Sequence, residues 1–314
     1  MSSDIFAEWL HRLGHRIVRT ASSYWVESGP RVFQAFPYHN VIIPSVDELD
    51  LLLYRHSAIG LRYSTPWNAP YGVASYHVTF TGSQYPLASL HKKARHDVRR
   101  GMEAASIEPI SFDRLAMEGW SLRASTLQRQ GRIGAETREE WQKLCQSAKD
   151  LQGFEAWAAI VHGHLAASLI AFTSGNCCSI LYQQSCTEYL PMGINNALTF
   201  VFTNEILKHP GQPYIFYGLH SLDAPPSVDQ YKFRMGFTAT PVKQRVLFHP
   251  SLRPLINCAT HAVLQAGLFI QPGNPILSKA EGMLRFYLQG RLPVSQQNLP
   301  PPLARSEGFG AAIL

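Results

Sequence analysis

The stretch with the clearest chemical potential is a glycine followed by a helical pattern. After Gly193, apolar residues recur at helical spacing as far as Ile206. The first turn of a helix leaves backbone N–H groups unpaired, and the helix dipole makes that end positive. A glycine there lets a phosphate come close to the backbone. We therefore predict a phosphate-binding turn at Gly193, Ile194, Asn195 and Asn196, with an ordinary helix start as the alternative.

A second candidate is the strongly basic segment from Leu87 to Ala105, which we predict to be a helix. Lys92, Arg95 and Arg99 fall at three- and four-residue steps, so they share one face of that helix. Such a face could bind a phosphate-bearing acceptor, a nucleotide tail or tRNA. A solvated helix face is the alternative.

Polar residues at the ends of two strand-like runs supply candidate acid–base groups. Gln184 ends one run and could hydrogen-bond an acyl carbonyl. Tyr217 ends the next run and could contact substrate, while His220 or Asp223 beyond it could take a proton from an attacking amine or hydroxyl. A one-residue slip in register would reverse which face each side chain occupies.

A third polar stretch lies in the amino-terminal part of the chain. Arg62 and Tyr63 belong to a predicted strand, Leu61–Ser64, that runs into an aromatic loop ending at Asn68. These two residues could line an acceptor-binding cleft. A loop held in place by its aromatic residues is the alternative.

The elements around Gly193 predict a layered αβ unit. Short Gly/Asn turns at 162–164 and 174–176 separate three strand-like runs, so we expect a meander of three antiparallel strands. Tyr214–Tyr217 reads as a strand reached through the Gly193 helix, which favours a parallel crossover. Capping boxes begin two helices, at Ser45 and Thr137. Further helices are predicted over Asp4–Arg19 and Asp113–Gln130.

Length and composition limit the class of protein. A chain of 314 residues exceeds the roughly 250–300 residues over which one core usually grows, so two lobes are expected. The net charge of +6 suits an anionic partner. Five cysteines at spacings unlike a metal site, with no secretory signal, lead us to expect a reducing cytoplasm and no bound metal.

The carboxy-terminal region contains an apolar segment, Leu252–Ile270, that is too polar along one side to span a membrane. Arg253, Asn257, His261 and Gln265 recur at four-residue steps, which predicts an amphipathic helix. We expect this helix to pack on the protein body, and peripheral association with a membrane surface is the alternative. Beyond it we predict another helix, Ile276–Leu288, and then a loose tail from Leu292 onward.

One motif gives the chain a family resemblance. Tyr231-Lys232-Phe233-Arg234-Met235-Gly236-Phe237 resembles the ending of FemAB-like proteins and the Tyr-x-x-x-Gly-Phe ending of GNAT enzymes. With the preceding strands and helix, Glu155–Phe248 looks like the acyl-donor half of a GNAT-type acyltransferase. Lys232 occupies the place where GNAT enzymes often have a tyrosine acid. A lysine there could stabilise a tetrahedral intermediate, although a solvated lysine is the alternative.

The resemblance covers about Tyr24–Pro250 and implies a mixed α+β fold with two GNAT-like lobes, each a mixed sheet flanked by helices. We place the lobes at 1–110 and 111–250, and a helical extension with a Pro-rich tail at 251–314. The family's donor turn reads Gln/Arg-x-x-Gly-x-Gly/Ala, of which this chain keeps only Gly193.

The resemblance further implies an N- or O-acyltransferase that uses acyl-coenzyme A. Its acceptor would be a small molecule, glycan or peptide of cell-envelope or polysaccharide metabolism. FemAB-type transfer from aminoacyl-tRNA, with the basic helix binding the tRNA, is one alternative. A non-catalytic GNAT-like binding module is another, and the incomplete donor turn favours it.

Overall fold

The computed structural model describes residues 2–132, 135–209, 211, 214–222, 226–271 and 274–304. Its α-helices are α1 (Ser2–Arg12), α2 (Val46–Asp50), α3 (Lys92–Ala104), α4 (Phe112–Glu118), α5 (Trp120–Arg129), α6 (Arg138–Ala148), α7 (Ile194–Leu207), α8 (Pro226–Arg234), α9 (Cys258–Ile270), α10 (Pro275–Gln289) and α11 (Pro301–Ala304). Its strands are β1 (Ile17–Arg19), β2 (Tyr24–Gly29), β3 (Val32–Phe36), β4 (Gly60–Thr65), β5 (Val73–Phe80), β6 (Ser106–Ile110), β7 (Phe154–Val161), β8 (His164–Ser174), β9 (Cys177–Ser185), β10 (Tyr214–Leu219) and β11 (Thr238–Phe248).

The chain forms two compact units, each drawn from several segments. The first unit comprises residues 1–13, 78–218 and 226–238, and the second comprises 14–77, 219–225 and 239–314. The lobe boundaries predicted at 110 and 250 remain a prediction. They divide the chain in sequence order, whereas the compact units are defined by packing between segments that are distant in sequence.

The first unit contains the predicted meander and crossover. Its strands lie in the order β10-β9-β8-β7-β6. The β6–β7, β7–β8 and β8–β9 pairs are antiparallel, and β10 runs parallel to β9 after α7. The first hairpin turns at His162 and Gly163, with φ of 50° and 84°, and the second turns at Gly175, with φ of 58°. Both predictions are confirmed.

An aromatic cluster holds α1 on the sheet of the first unit. Phe6 and Trp9 contact Phe154 and Phe172 with ring centroids between 5.2 and 6.3 Å apart. Phe6 is 2% exposed and Trp9 is 3% exposed. Aromatic side chains bury large apolar areas, so α1 is a structural part of this unit.

The strands of the second unit pair in a mixed pattern. Its strands lie in the order β1-β2-β3-β4-β11. β3 and β4 are parallel, whereas the β1–β2, β2–β3 and β4–β11 pairs are antiparallel. Trp25, Phe33, Leu52 and Leu61 form the buried centre of its core. The predicted mixed α+β class is therefore confirmed.

Several predicted helices have other limits in the structure. α1 ends at Arg12 and not at Arg19, because Ile17–Arg19 pairs with β2. The helix predicted over Asp113–Gln130 is divided at Gly119 into α4 and α5. The basic helix begins at Lys92, after a 3₁₀ turn at Leu87–Ser89. The capping boxes at Ser45 and Thr137 are both present.

The carboxy-terminal segment belongs to the core of the second unit. Met283 and Phe286 of α10 pack with Val73 and Val246. The side-chain oxygen of Gln297 accepts a 2.7 Å hydrogen bond from the backbone N–H of Ala74. Residues 292–304 are therefore packed, contrary to the predicted loose tail, and residues 305–314 lie outside the described range.

Two glycines allow α3 to lie directly on the start of α7. A Cβ atom at Gly101 would come within 2.5 Å of the Gly193 carbonyl oxygen and 2.7 Å of the Ala197 Cβ. A Cβ atom at Gly193, whose φ is +77°, would come within 2.1 Å of the Asp97 carbonyl oxygen. These contacts are with backbone, which has little freedom to shift. Packing between α3 and α7 therefore requires a glycine at position 193, where the sequence predicted a phosphate-binding turn.

Replacing Gly101 by alanine tests this packing. Helix propensity alone would make Gly101→Ala stabilising by about 1 kcal/mol. We expect instead a loss of about 1–3 kcal/mol in the free energy of unfolding, because the added methyl overpacks a backbone contact. Urea unfolding measures the difference.

Gly267→Ala is the matched control, because Gly267 also lies within a helix and its added Cβ would meet only Leu277 Cδ1, at 3.6 Å. This control should be neutral or stabilising. A Gly101→Ala protein as stable as the control would contradict the account.

Candidate functional site

The parallel strands β9 and β10 separate after three residue pairs. Tyr214, Ile215 and Phe216 pair with Cys177, Cys178 and Ser179, and over the described residues the ladder goes no further. β9 nevertheless continues to Ser185. The first unit therefore has an opening between Tyr217 on one side and residues 180–185 on the other.

Hydrogen-bonded side chains occupy this opening. The Tyr217 hydroxyl donates to Gln183 Oε1. Gln183 Nε2 donates to the Asn195 carbonyl oxygen at 3.3 Å and to Thr199 Oγ1 at 3.1 Å. Gln183 thus connects β10 to α7 where backbone pairing has ended, and we call Gln183, Thr199, Tyr217 and Tyr231 the opening cluster.

Tyr231 completes the cluster from α8. Its hydroxyl donates to the Asn195 carbonyl oxygen at 2.9 Å and lies 2.9 Å from Thr199 Oγ1. Burial raises the pKa of Tyr231 and raises that of Tyr217 well above its usual value. Both phenols therefore stay protonated at neutral pH and act as hydrogen-bond donors.

Lys232 is buried beside this cluster and is not the solvated lysine of the alternative interpretation. It is 9% exposed, and its Nζ lies 2.9 Å from Asp229 Oδ1. Nζ also lies 5.2 Å from the ring centroid of Tyr217. Gly218, next along β10, has no side chain that would approach the ammonium. The structure thus brings Lys232 and Tyr217 together and fixes a cation at the opening.

Gln184, the sequence-derived candidate for the acyl carbonyl, bonds within the sheet. Its Oε1 accepts from Ser168 Oγ at 3.3 Å, and the residue is 1% exposed. Its Nε2 has no described hydrogen-bond partner. The preceding residue, Gln183, is the one that reaches the opening. Successive side chains of a strand point to opposite faces of the sheet, so an error of one residue selects the wrong side chain.

The side chains of the predicted phosphate-binding turn already have contacts within the protein. Gly193 caps α7, and Ile194 is fully buried. Asn195 Nδ2 donates to Ser185 Oγ at 3.0 Å, while Asn196 Nδ2 lies 3.2 Å from Met235 Sδ. The groups of this turn that suit an anion are accordingly the backbone amides of the first turn of α7.

Arg129 was missed by sequence reasoning because it belongs to α5, far from the turn along the chain. One of its terminal nitrogens donates to the Ser185 carbonyl oxygen at 2.8 Å and to Thr187 Oγ1 at 2.8 Å. The other donates to Ser185 Oγ at 3.0 Å, the same oxygen that Asn195 contacts. A guanidinium thus lies beside the predicted turn, bonded to neutral groups.

The basic helix α3 packs through small residues and exposes its cations. Ala94, Val98 and Gly101 are buried. Lys92 and Arg99 are exposed and Arg95 is partly buried. No described residue forms an ion pair with these three cations. The face predicted from their spacing therefore exists as a solvent-facing row, on the helix that contacts Gly193.

The remaining candidates belong to the second unit. Arg62 donates from Nε to Gln244 Oε1 at 2.8 Å and from a terminal nitrogen to the His220 carbonyl oxygen at 3.1 Å. The His220 ring stacks on Tyr76 with centroids 4.6 Å apart. Tyr63 is 3% exposed and packs against Trp25 in the core. Asp223 lies outside the described residues.

A small polar cavity in the second unit is lined by Arg62, Ser64 and Gln244, among others. Its volume of about 10 Å³ suits one water molecule and no substrate. Ser64 Oγ lies 2.8 Å from His77 Nε2, and both residues are almost fully buried. Burial lowers the pKa of His77 to about 4, helped by repulsion from His39 when that ring is protonated and by the positive charge of Arg62.

Among the described residues, no three His, Cys, Asp or Glu side chains lie close enough together to bind a metal ion. No helix in the same ranges has the length and apolarity needed to cross a bilayer.

No protein-family model matches the chain, and no curated protein matches it. Solved structures do match. FemX is 9% identical over 80% of this chain and 93% of its own, with a TM-score of 0.53. The C-terminal domain of a protein named as a lysylphosphatidylglycerol synthetase in Agrobacterium fabrum is 12% identical over 87% and 96%, with a TM-score of 0.53. A conserved protein of unknown function from Bacteroides thetaiotaomicron is 10% identical over 79% and 90%, with a TM-score of 0.54.

At such low identity these likenesses establish the fold and nothing more specific. The FemAB-like, GNAT-type fold expected from the Tyr231–Phe237 motif is confirmed, since the similarity to FemX extends over most of both chains.

Buried histidines should make the second unit sensitive to acid. His77 and His39, with a pKa of about 4 each, stay neutral in the folded protein, whereas the unfolded chain binds protons near pH 6.5. Between pH 6.5 and 4 the unfolded state therefore holds more protons, so the free energy of unfolding falls as pH is lowered through that window. Above pH 6.5 this contribution is fully present.

Urea unfolding at several pH values measures the effect. We expect His77 alone to account for a loss of about 3 kcal/mol on acidification from pH 7 to 4. His77→Asn should remove that part of the pH dependence. An unchanged slope in the variant would show that His77 is not held neutral.

Proposed function

We propose that the protein is an acyltransferase that passes an acyl group directly from an activated carrier to an amine or hydroxyl. The observation that carries this proposal is the opening between β9 and β10, where polar groups converge beside a buried cation. An acyl arm entering the opening would place its carbonyl among donors that are already oriented. Such preorganisation lowers the barrier without a covalent enzyme intermediate.

Each group in the opening has a role in this scheme. The acceptor attacks the carbonyl carbon, and negative charge develops on the carbonyl oxygen. The ammonium of Lys232, whose charge is balanced by the Asp229 carboxylate before substrate arrives, is the cation that stabilises that oxygen. Tyr217 and Tyr231, kept protonated by burial, can donate hydrogen bonds to the same oxygen. The bond between the carbonyl carbon and the carrier then breaks, and the proton lost by the acceptor passes to the departing carrier. Gln183 holds Tyr217 in position.

Acyl-coenzyme A is the donor that we propose first, because its pyrophosphate suits the first turn of α7 and the neighbouring Arg129. The acceptor belongs to the class of small molecules, glycans or peptides. The resemblance of the Tyr231–Phe237 motif to FemAB-like proteins suggests cell-envelope or polysaccharide metabolism as the setting.

A specific observation favours aminoacyl-tRNA as a second candidate donor. The cations of α3 face solvent without ion-pair partners among the described residues. A row of this kind suits the spaced phosphates of a nucleic acid better than a single pyrophosphate. The two donors make different predictions for binding.

Removing Lys232 tests the catalytic proposal. Lys232→Met alone would remove the cation that pairs with the Asp229 carboxylate and would destabilise the fold, so Lys232→Met is combined with Asp229→Asn. We expect turnover to fall about a hundredfold or more, as when an oxyanion-stabilising donor is lost. Steady-state kinetics with the donor bound at saturation measures it.

Lys243→Met is the matched control, because Lys243 is another buried lysine but belongs to the second unit. It should leave turnover unchanged. Full activity of the double variant, with its fold and donor binding intact, would remove Lys232 from the mechanism.

Equilibrium titration separates the donors. If acetyl-coenzyme A is the carrier, it should bind with an affinity that Arg99→Gln does not change. If aminoacyl-tRNA is the carrier, Arg99→Gln should weaken its binding and lower the slope of log affinity against log salt by about one. Binding of neither molecule would support the non-catalytic module and contradict the proposed activity.

A further inference from the structure

The helix α9 faces the rest of its unit with a side that includes His261, Leu264 and Leu268, which are partly buried. His261 Nε2 lies 2.9 Å from Glu281 Oε1 on α10, and Glu281 also accepts from Arg285 Nε at 3.0 Å. Glu281 is only 9% exposed. The polar stripe that predicted an amphipathic helix thus includes a residue bonded to α10, and no residue of α9 is fully buried.

The outward side of α9 is mostly apolar. Its exposed residues Ala259, Ala262, Val263, Ala266, Phe269 and Ile270 form one continuous stripe, and the exposed Gln265 lies at its margin. Val263 is 69% exposed, Phe269 is 90% exposed and Ile270 is 77% exposed. The expectation that this helix packs on the protein body is confirmed on its His261 side, and the stripe on the other side is left uncovered by the described residues. A contiguous exposed stripe of this kind marks an interaction surface.

The charges around the stripe indicate what covers it. The sequence from Pro254 to Ser278 contains no Asp, Glu, Lys or Arg, and the exposed cations Arg253 and Lys279 stand at its two ends. Residues 239–304, all of the second unit, contain one carboxylate, the buried Glu281, against six cations: Lys243, Arg245, Arg253, Lys279, Arg285 and Arg291. No exposed carboxylate of this region would repel an anionic surface.

From these observations we infer that α9 docks on the surface of an anionic lipid bilayer. Its apolar stripe, about 20 Å long at 1.5 Å per residue, would enter the boundary between headgroups and acyl chains, with Arg253 and Lys279 beside the lipid phosphates. A second copy of the chain fits less well, because rims of protein interfaces are polar and an uncharged stripe ended by like charges offers no complementary partner for itself. The inference does not depend on the proposed acyl transfer.

Flotation of the full chain with vesicles tests the inference. We expect binding to vesicles of phosphatidylglycerol and phosphatidylcholine in equal parts, and much weaker binding to phosphatidylcholine alone. Phe269→Gln with Ile270→Gln should lower the partition coefficient at least about tenfold, because two exposed apolar side chains no longer insert. Arg253→Gln and Lys279→Gln should each lower binding to the anionic vesicles about fivefold.

Ile43→Gln with Val46→Gln is the matched control, since both residues are exposed apolar side chains outside α9, at 76% and 72%. This control should bind vesicles like the unaltered chain. An unaltered chain that floats with neither vesicle would overturn the inference, as would an equal loss in the control. Sedimentation showing a dimer that Phe269→Gln with Ile270→Gln dissociates, without any vesicle binding, would assign the stripe to a second copy.

Discussion

A parallel ladder that stops after three residue pairs is the constraint on which the first unit depends. Beyond Phe216 the two neighbouring strands no longer satisfy each other's backbone groups. Gln183, Tyr217 and Tyr231 fill the gap with side-chain hydrogen bonds to one another and to the Asn195 carbonyl oxygen of α7. Buried polar groups need such partners, because leaving them unpaired is costly. The groups that fill the gap are also donors suited to an acyl carbonyl, so structural need and proposed chemistry meet in one place.

A second constraint acts at the start of α7. Gly101 and Gly193 let two helix backbones touch, and this contact places a strongly basic helix beside the turn expected to hold phosphate. Two candidate sites that are a hundred residues apart in sequence are therefore adjacent in space. The contact also explains why Gly193 is a glycine without any ligand. Gly193 by itself is therefore weak support for a coenzyme A site. Stronger support comes from Arg129 and from the backbone amides of α7.

Local patterns predicted the local structure well. Glycine turns located the hairpins, capping boxes located two helix starts, and the Tyr231–Phe237 motif indicated the fold. Properties set by distant partners were harder to predict. Strand alternation distinguishes Gln183 from Gln184 only once the register is known, and Arg129 comes from another helix. Of the polar stripe predicted for the helix from Leu252, only His261 and Gln265 lie within α9, which begins at Cys258. His261 faces Glu281 of α10, a partner that no pattern within α9 could indicate, whereas Gln265 is exposed.

The central claim is that the opening between β9 and β10 receives the acyl group. A crystal structure with a thioether analogue of acetyl-coenzyme A, and another with a stable aminoacyl-adenosine analogue, tests it for either carrier. The account predicts that one analogue lies between the two strands, with its carbonyl oxygen within hydrogen-bonding distance of Lys232 Nζ or of a tyrosine of the opening cluster. An acyl group bound elsewhere, or β9 and β10 paired without a gap, would contradict it.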